Sequence, residues 1–206
     1  MNIFILFLLR INIPNAYIFK FLIKSGNMLK FYRITSIDDA LFNEFYELYS
    51  TAFPASERRS WPGLDKELYA ESKFYANALL RNDEFVGFFN YWTFDKFSFV
   101  EHFALKQNFR SQKIGAEAMG MFKNMSNLPV VLEVEMPNNS ETVRRIRFYE
   151  EAGFKSLSHY YAQPPYEGGG FLIPMLIMST DVHFANTHFE MIRGTLYTEV
   201  YHFIAN

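Results

Sequence analysis

The sequence predicts an α/β fold built on a mixed, mostly antiparallel sheet that is flanked by helices and carries an extra carboxyl-terminal helix. Two patterns predict it. Apolar, aromatic-rich segments succeed one another with short polar turns between them, which is typical of an antiparallel meander. Helix-patterned segments then alternate with further strands, so 97–105 and 130–135, joined by a helical crossover, should lie nearly parallel. The predicted order is β-α-α-β-β-β-α-β-α-β-β, with the last helix at the end.

The first half of the chain supplies the antiparallel strands. Four segments are expected to be strands: 29–34, 74–80, 85–94 and 97–105. Ser36 and Asp39 fit a capping box ahead of a helix with a one-sided apolar stripe, and Pro54 should end that helix. A short helix is expected over 64–72, and Asn82-Asp83 has the composition of a hairpin turn.

The second half is predicted to alternate helices and strands. Helices are expected at 114–125 and 141–152, and strands at 130–135, 154–162 and 171–178. The loop 163–170 combines prolines with glycines, which fits either a lid or an ordinary hairpin connection. The last helix, 184–203, carries an apolar stripe that could pack on its own sheet or on a second copy in a homodimer.

Composition limits the class of protein. The 206 residues fit one domain, predicted as 28–206. A net charge of −2 argues against nucleic acid as a partner. There is no cysteine nucleophile or disulfide, and the five histidines lack metal-ligand spacing, so no metal is predicted. The 19% aromatic content is explained by an aromatic core, with an aromatic substrate pocket as the alternative.

Residues 1–27 differ in pattern from the rest of the chain. The apolar run 3–9 is interrupted from Arg10 onward, too early for a membrane span of about 20 residues. The segment also lacks the basic start and cleavage site of a signal peptide. We expect Met28 to be a functional start, or 1–27 to be an appendage, with a membrane-surface anchor as the alternative. Membrane association is therefore not expected, and the protein is predicted to be cytoplasmic.

The most informative stretch is a strand that runs into a basic turn and then opens a helix. Strand 97–105 leads into a polar turn that includes Arg110 and Lys113, and the helical pattern starts at Ile114. A helix start carries unpaired N–H groups and the positive end of the helix dipole. A polar, basic turn at this place can bind an anion such as a phosphate. An ordinary solvated turn between strand and helix is the alternative.

This turn resembles motif A of the GNAT superfamily of N-acetyltransferases, whose pattern is Gln/Arg-x-x-Gly-x-Gly/Ala. Here the motif starts at Arg110. Lys113 replaces the first glycine and Gly115 keeps the second. A side chain at position 113 is compatible with the motif if the backbone there is right-handed, because only a positive φ favours glycine.

A second resemblance lies at the end of the helix 141–152. The family has Tyr-x-x-x-Gly-Phe there, which this chain matches with Tyr149, Gly153 and Phe154. Gly153 is predicted to be a left-handed helix cap. Thr142 and Arg145 stand where the family often has Asn and Ala. The resemblance covers roughly residues 30–178.

The resemblance implies an acetyl-CoA-dependent N-acetyltransferase that acts by direct transfer in a ternary complex. The acceptor is expected to be a small-molecule amine, or otherwise a protein amino group. A non-catalytic acyl-CoA-binding or partner-binding domain on the same fold is the alternative, which the departures at Lys113, Thr142 and Arg145 favour. The implied cofactor-binding residues are Leu105, Lys106, Arg110, Ser111, Gln112, Lys113, Ile114, Gly115 and Ala116. The first two would pair through their backbone with pantetheine, as an added strand does.

Two residues are expected to be catalytic. Glu101 lies in an apolar strand just before the turn, where burial should raise its pKa and suit it to be the general base. The alternative is an exposed or ion-paired Glu. His102 should point to the opposite sheet face unless the strand bulges. By resemblance, Tyr149 protonates the leaving thiolate, with a core tyrosine as the alternative.

Other residues are expected to shape the acceptor site. The candidate substrate-binding residues are Glu57, Arg58, Trp61, Glu135 and Tyr166. Glu133 and Glu135 share one face of a predicted central strand, where buried carboxylates are costly unless paired. Two interpretations stay open: an ionic network with the arginines of the next helix, 144–147, or a site for a cationic amine.

Overall fold

The computed structural model describes residues 28–70, 73–166 and 170–203. Residues 1–27, predicted as an appendage or a segment before the functional start, lie outside the described residues, as do 167–169 of the loop that could be a lid or a hairpin connection. The strands are β1 (Leu29–Ile34), β2 (Phe74–Arg81), β3 (Glu84–Thr93), β4 (Ser98–Leu105), β5 (Val130–Glu135), β6 (Lys155–Ser156), β7 (Tyr161–Gln163) and β8 (Ile173–Ser179). The helices are α1 (Phe42–Ala52), α2 (Trp61–Ala70), α3 (Ile114–Met125), α4 (Ser140–Glu151), α5 (Val182–Thr187) and α6 (Phe189–Thr195). Short 3₁₀ turns cover Ala55–Glu57 and Gln107–Phe109.

The strands form one mixed sheet in the order β1-β2-β3-β4-β5-β8-β6, with β7 also paired to β8. Only β4 and β5 pair in parallel within the described part of the chain, and the other pairs are antiparallel. Asn82 and Asp83 both have positive φ, as the tight turn between β2 and β3 requires. The predicted fold class is confirmed, including the parallel pair.

Helices cover both faces of the sheet. On one face, here called the α1 face, α1, α2, α5 and α6 pack on the sheet. On the other, the α3 face, α3 and α4 do so. Trp92 and several phenylalanines are buried on the α1 face, which confirms the predicted aromatic core. Since strand side chains alternate between faces, each strand residue can be assigned to one of them.

The predicted last helix, 184–203, is broken. It consists of α5, α6 and a π-helical turn, Leu196–Val200, with a break at His188. Ile192, Leu196 and Val200 are fully buried against the α1 face. The apolar stripe therefore packs on its own sheet. Within the described residues, no helix is long and apolar enough to span a membrane.

The predicted capping box ahead of α1 is wrong, whereas α4 has one that was not predicted. Ser36 and Asp39 form no capping box, since α1 begins only at Phe42 and Leu41 caps it without a side-chain hydrogen bond. The Ser36 hydroxyl instead accepts the Asp38 N–H at 2.9 Å, in a local turn. By contrast, α4 has a complete box, in which Asn139 caps the helix and the Thr142 hydroxyl accepts the Asn139 N–H. The departure from the family pattern at Thr142 thus has a structural role here.

Candidate active site

The parallel strands β4 and β5 separate after three paired positions. Their register runs from Ser98–Val100 to Val130–Leu132 and no further. Beyond it, 101–105 and 133–135 continue without pairing to each other. Such a splay leaves backbone N–H and C=O groups free between two strands, where an extended ligand can bind like an added strand.

The splay ends in a turn whose backbone is left-handed at two places. Ser111 has φ of 63° and Lys113, which caps α3, has φ of 62°. Alternation of right- and left-handed residues makes successive N–H groups converge on an anion. The condition for an unstrained side chain at position 113, a right-handed backbone, is therefore not met: the lysine adopts a conformation that only glycine has without strain. The geometry still fits phosphate binding, and Arg110, Ser111, Gln112 and Lys113 are all exposed.

Backbone bonding at the end of β4 corrects one cofactor residue. The Lys106 N–H donates to the Val86 carbonyl on β3 at 2.9 Å, so it faces away from the splay. Backbone groups of an antiparallel strand alternate sides. Because the backbone N–H of Lys106 points toward β3, the backbone groups of Phe103 and Leu105, at alternate positions, point toward β5. We therefore keep Leu105 as a candidate for backbone contacts and replace Lys106 with Phe103.

A β-bulge shapes the start of the splay. Asn90 pairs with His102 and Tyr91 pairs with Val100, so Glu101 is the extra residue on β4. A bulge re-aims side chains and interrupts their alternation. Glu101 and His102, expected on opposite faces of an unbulged strand, therefore both lie on the α1 face. Glu101 Oε1 is 3.8 Å from His102 Nδ1.

Glu101 is held by a buried cation. Its side chain is 0% exposed, forms an ion pair with Arg59, and accepts a hydrogen bond from Trp92 Nε1 at 2.8 Å. Burial alone would raise the pKa of Glu101, but the Arg59 charge and the hydrogen bond from Trp92 together lower it. The expected upward shift is therefore wrong, because the sequence did not reveal which cation faces this carboxylate.

Arg59 ties this carboxylate to the rest of the α1 face. Its Nη2 donates to the Val200 carbonyl at 2.6 Å, and its Nε lies 3.7 Å from Glu67 Oε1. The guanidinium also lies 4.7 Å from the centroid of the Tyr166 ring. One arginine thus joins the α1–α2 loop, β4, α2 and the carboxyl-terminal segment.

His102 is buried and neutral. Burial lowers its pKa, with the nearby arginines adding to the effect and Glu101 opposing it. Its Nε2 lies 2.8 Å from the Glu57 carbonyl oxygen, which can only accept a hydrogen bond. In the neutral ring the proton is then on Nε2, and Nδ1 is left as an acceptor. That nitrogen has no hydrogen-bond partner among the described residues.

Glu133 has a different environment from Glu101. The hydroxyl groups of Tyr161 and Tyr201 each donate to one of its carboxylate oxygens. Burial raises the pKa of Glu133 to about 7, with repulsion from Glu101 adding to it and the two tyrosine bonds opposing it. At neutral pH this carboxyl group is therefore present in both protonation states.

Glu135 lies farther along the splay on β5, and Glu57 lies in the 3₁₀ turn between α1 and α2. Glu135 forms an ion pair with Arg145, which also reaches Glu141 at 3.9 Å. The Glu–Arg network predicted from sequence is confirmed for Glu135 and wrong for Glu133. Burial raises the pKa of half-buried Glu57, and repulsion from Glu135 adds to it, so these two carboxylates lie near each other.

The remaining acceptor-site candidates divide into two groups. The Tyr166 ring lies 5.6 Å from the ring of His102 and 4.9 Å from that of Tyr201. Burial raises the pKa of the Tyr166 phenol, and the charges of Glu101 and Glu133 add to this. Trp61 instead packs edge-on against α1, with its ring 4.7 Å from that of Phe42. Arg58 donates to the Phe53 carbonyl at 3.2 Å, so its neighbour Arg59 is the arginine that enters the site.

Tyr149 lies at the end of α4, where its backbone takes part in the helix cap. The Gly153 N–H bonds to the Glu150 carbonyl and the Phe154 N–H to the Tyr149 carbonyl, at 2.9 and 3.0 Å. With Gly153 at φ of 91°, this is a Schellman cap, which confirms the predicted left-handed glycine. Tyr149 is 9% exposed and burial raises its pKa to about 12, so the phenol keeps its proton at neutral pH.

Sequence reasoning missed most of the aromatic half of the site. The sequence does not distinguish Arg59 from its neighbour Arg58. The aromatic residues around Glu101, Arg59 and Glu133 come from four separate parts of the chain, and they are Tyr49, Trp92, Tyr161 and Tyr201. Tyrosines are frequent in this chain, so none of them stood out. The available signal was Glu133 itself, an acidic residue in a run of valines and leucine that needs buried partners.

Comparison with known proteins identifies the family of this chain. The profile of the Acetyltransferase (GNAT) family matches residues 42–154. A Bacillus subtilis (strain 168) protein described as an acetyltransferase, YjbC, is 28% identical over 113 residues. That match covers 54% of this chain, and the chain spans only 56% of the length of that relative.

Solved structures share the fold. A GNAT-family protein described as an acetyltransferase from Bacteroides thetaiotaomicron has 34% identity and a TM-score of 0.79, covering 84% of this chain and 98% of its own. Naa50 of Arabidopsis thaliana, solved with the bisubstrate analogue CoA-Ac-MVNAL, has 16% identity and a TM-score of 0.54. That match covers 76% of this chain and 99% of the Arabidopsis chain.

Proposed function

The chain belongs to the acetyltransferase (GNAT) family, and from that premise we propose that it transfers the acetyl group of acetyl-CoA to a small-molecule amine. The observation that carries the proposal is the splay between β4 and β5, with a basic, left-handed turn at one end and the carboxylates of Glu101 and Glu133 on the α1 face. Acetyl-CoA, when bound, supplies the acetyl group as a thioester.

The donor side is formed by backbone more than by side chains. Phe103 offers backbone groups that face β5, and Leu105 offers its N–H, since its carbonyl accepts a bond from Arg110 Nε at 3.2 Å. The turn from Arg110 to the start of α3 offers N–H groups and the positive end of the helix dipole. Arg110 and Lys113 add positive charge. These groups suit an extended amide-containing arm that ends in a pyrophosphate.

The acceptor side is suited to an amine. Glu101 remains ionised and fixed by Arg59, and Glu133 lies near it on the same face. Carboxylates attract a protonated amine and orient it toward the splay. A small acceptor fits best, because the Glu101 side chain is buried and Glu133 is only partly exposed beside Tyr201, so neither lies on an open surface. A protein acceptor would have to insert its amino group on one extended, narrow segment.

Tyr149 supplies the proton for the leaving sulfur in this proposal. Its phenol holds that proton at neutral pH because burial raises its pKa. It lies on the α3 face, opposite the carboxylates. The amine and the leaving group would thus be served from different sides of the sheet.

Release of the CoA thiol on mixing with acetyl-CoA and an amine tests the proposal. The probes are putrescine, tyramine and an alanine peptide with a free amino terminus, with the product identified by mass spectrometry. We expect turnover with at least one probe. Tyr149→Phe should lower kcat by about 10- to 1000-fold with little change in the Kd of acetyl-CoA.

A matched control is Tyr69→Phe, which removes a hydroxyl from a side chain that is 93% exposed. It should turn over like the wild type. Binding of acetyl-CoA without turnover of any amine would instead indicate the non-catalytic acyl-CoA-binding alternative.

A further inference from the structure

Two carboxylates mark the point where the central strands separate. Val100 is the last residue of β4 that pairs with β5, and Glu101 comes directly after it. Leu132 is the last such residue of β5, and Glu133 comes directly after it. Both side chains lie on the α1 face, close enough that the charge of Glu101 raises the pKa of Glu133. A reacting amine at this point would lie between two acids with different properties.

Glu101 is unsuited to accept a proton. Both of its oxygens are engaged, one by the Arg59 guanidinium and the other by the Trp92 indole. These partners stabilise the ionised form and lower its pKa. A carboxylate of low pKa is a weak general base near neutral pH. Glu101 instead fixes Arg59 and supplies a constant negative charge.

Glu133, unlike Glu101, has neutral partners. No basic side chain among the described residues forms an ion pair with it. Its partners are two neutral hydroxyl groups, Tyr161 from β7 and Tyr201 from the end of the carboxyl-terminal segment. Each carboxylate oxygen can accept more than one hydrogen bond, so both keep capacity for an amine N–H. The titratable groups that interact with it are Glu101, Tyr161, Tyr166, Tyr197 and Tyr201.

Resting on the proposed function, we propose that Glu133 takes the proton from the acceptor ammonium, and that Tyr161 and Tyr201 are the positioning residues that hold it. The ammonium N–H bond breaks, its electron pair stays on nitrogen, and the proton passes to a carboxylate oxygen of Glu133. Neutral amine and neutral Glu133 result, and the carboxyl group later returns the proton to solvent. Because burial raises the pKa of Glu133 to about 7, it can take and release this proton near neutrality.

The carboxyl-terminal segment thereby becomes part of the active site. Tyr201 comes directly after the π-helical turn Leu196–Val200, and the Val200 carbonyl binds Arg59. The same segment thus contacts both carboxylates, Glu133 directly through Tyr201 and Glu101 indirectly through Arg59. This gives the extra carboxyl-terminal helices a role in catalysis that packing alone would not require.

The first test titrates the carboxyl groups of the free protein. Protein labelled with ¹³C at the glutamate carboxyl is monitored by NMR from acid to alkaline pH. We expect one carboxyl that titrates near neutrality and disappears in Glu133→Gln. In Tyr201→Phe it should titrate at higher pH, since the ionised form loses a donor. Tyr197→Phe, whose hydroxyl bonds the Ala162 carbonyl instead, is the matched control and should shift it less.

The second test uses the pH dependence of kcat/KM with acetyl-CoA and the amine that turns over. Glu133→Gln should lower kcat by about 100- to 10,000-fold and abolish the acid limb of the profile. Tyr201→Phe should move that limb to higher pH, in step with the NMR titration. The Kd of acetyl-CoA should be unchanged in both variants.

The outcomes separate this proposal from the function on which it rests. A folded Glu133→Gln variant that keeps the acid limb, or a neutral-range carboxyl signal that survives this substitution, overturns the role of Glu133. If the wild type acetylates no amine while the carboxyl titrates as expected, the proposed function fails and the proton-transfer role fails with it.

Discussion

At the residue scale, Lys113 carries the clearest conflict between sequence and backbone. Non-glycine residues in the left-handed region cost roughly 1–2 kcal/mol, and Lys113 at φ of 62° adopts it directly at the start of α3. Its side chain is exposed and forms none of the ion pairs found among the described residues. A strained residue thus lies in the turn that should bind phosphate, as is common at functional sites.

Lys113→Gly should raise the free energy of unfolding by about 0.5–1 kcal/mol, since relief of strain exceeds the entropic cost of glycine. Urea denaturation measures it. Lys113→Ala is the matched control, because it removes the same charge next to the helix dipole but keeps the strain. An equal gain in both variants would mean that charge, not backbone conformation, is responsible.

At the scale of elements, the regular pieces were predictable and their junctions were not. The bounds of α3 and β5 were predicted to the residue because hydrophobic periodicity changes sharply at their ends. The Glu101 bulge was not predictable, since a single extra residue leaves the strand composition unchanged. The break at His188 was missed for a similar reason: the apolar stripe continues across it.

Close contact between β3 and β4 gives a prediction at this scale. A Cβ at Gly87 would lie 2.4 Å from the Ala104 carbonyl oxygen, whereas one at Gly120, in α3, would meet nothing within 4 Å. Gly87→Ala should therefore destabilise the sheet beside the splay by about 1–3 kcal/mol.

Gly120→Ala is the matched substitution and should stabilise the exposed helix by about 0.5–1 kcal/mol. Thermal unfolding distinguishes the two by the sign of the change in Tm. A neutral Gly87→Ala would show that the strands can move apart at no cost.

At the scale of the whole molecule, Arg59 connects the layers on the α1 face. It binds Glu101 on β4 and the Val200 carbonyl near the chain end, and it lies beside Glu67 on α2. Its importance could not be read from the sequence, because adjacent Arg58 and Arg59 look alike until the loop is folded. The same holds for Tyr201, whose partner is 68 positions away.

Arg59→Met should cost about 3–5 kcal/mol of unfolding free energy, because it leaves the buried Glu101 carboxylate uncompensated. Glu101→Gln in the same chain should recover part of that loss. Arg147→Met, at an exposed position on α4, is the control and should stay within about 0.5 kcal/mol of the wild type. A double variant no more stable than Arg59→Met alone would show that the ion pair is not the cause.

Binding of acetyl-CoA in the splay between β4 and β5 is the step on which donor, acceptor and proton transfer all depend. Calorimetric titration of the wild type with acetyl-CoA tests it most directly, beside Arg110→Glu at the phosphate turn and Lys96→Glu in the exposed turn at the opposite end of β4. We predict micromolar binding that Arg110→Glu weakens at least tenfold, about 1.4 kcal/mol, and that Lys96→Glu leaves intact. No binding by folded wild type, or equal loss in both variants, would contradict a cofactor site in the splay.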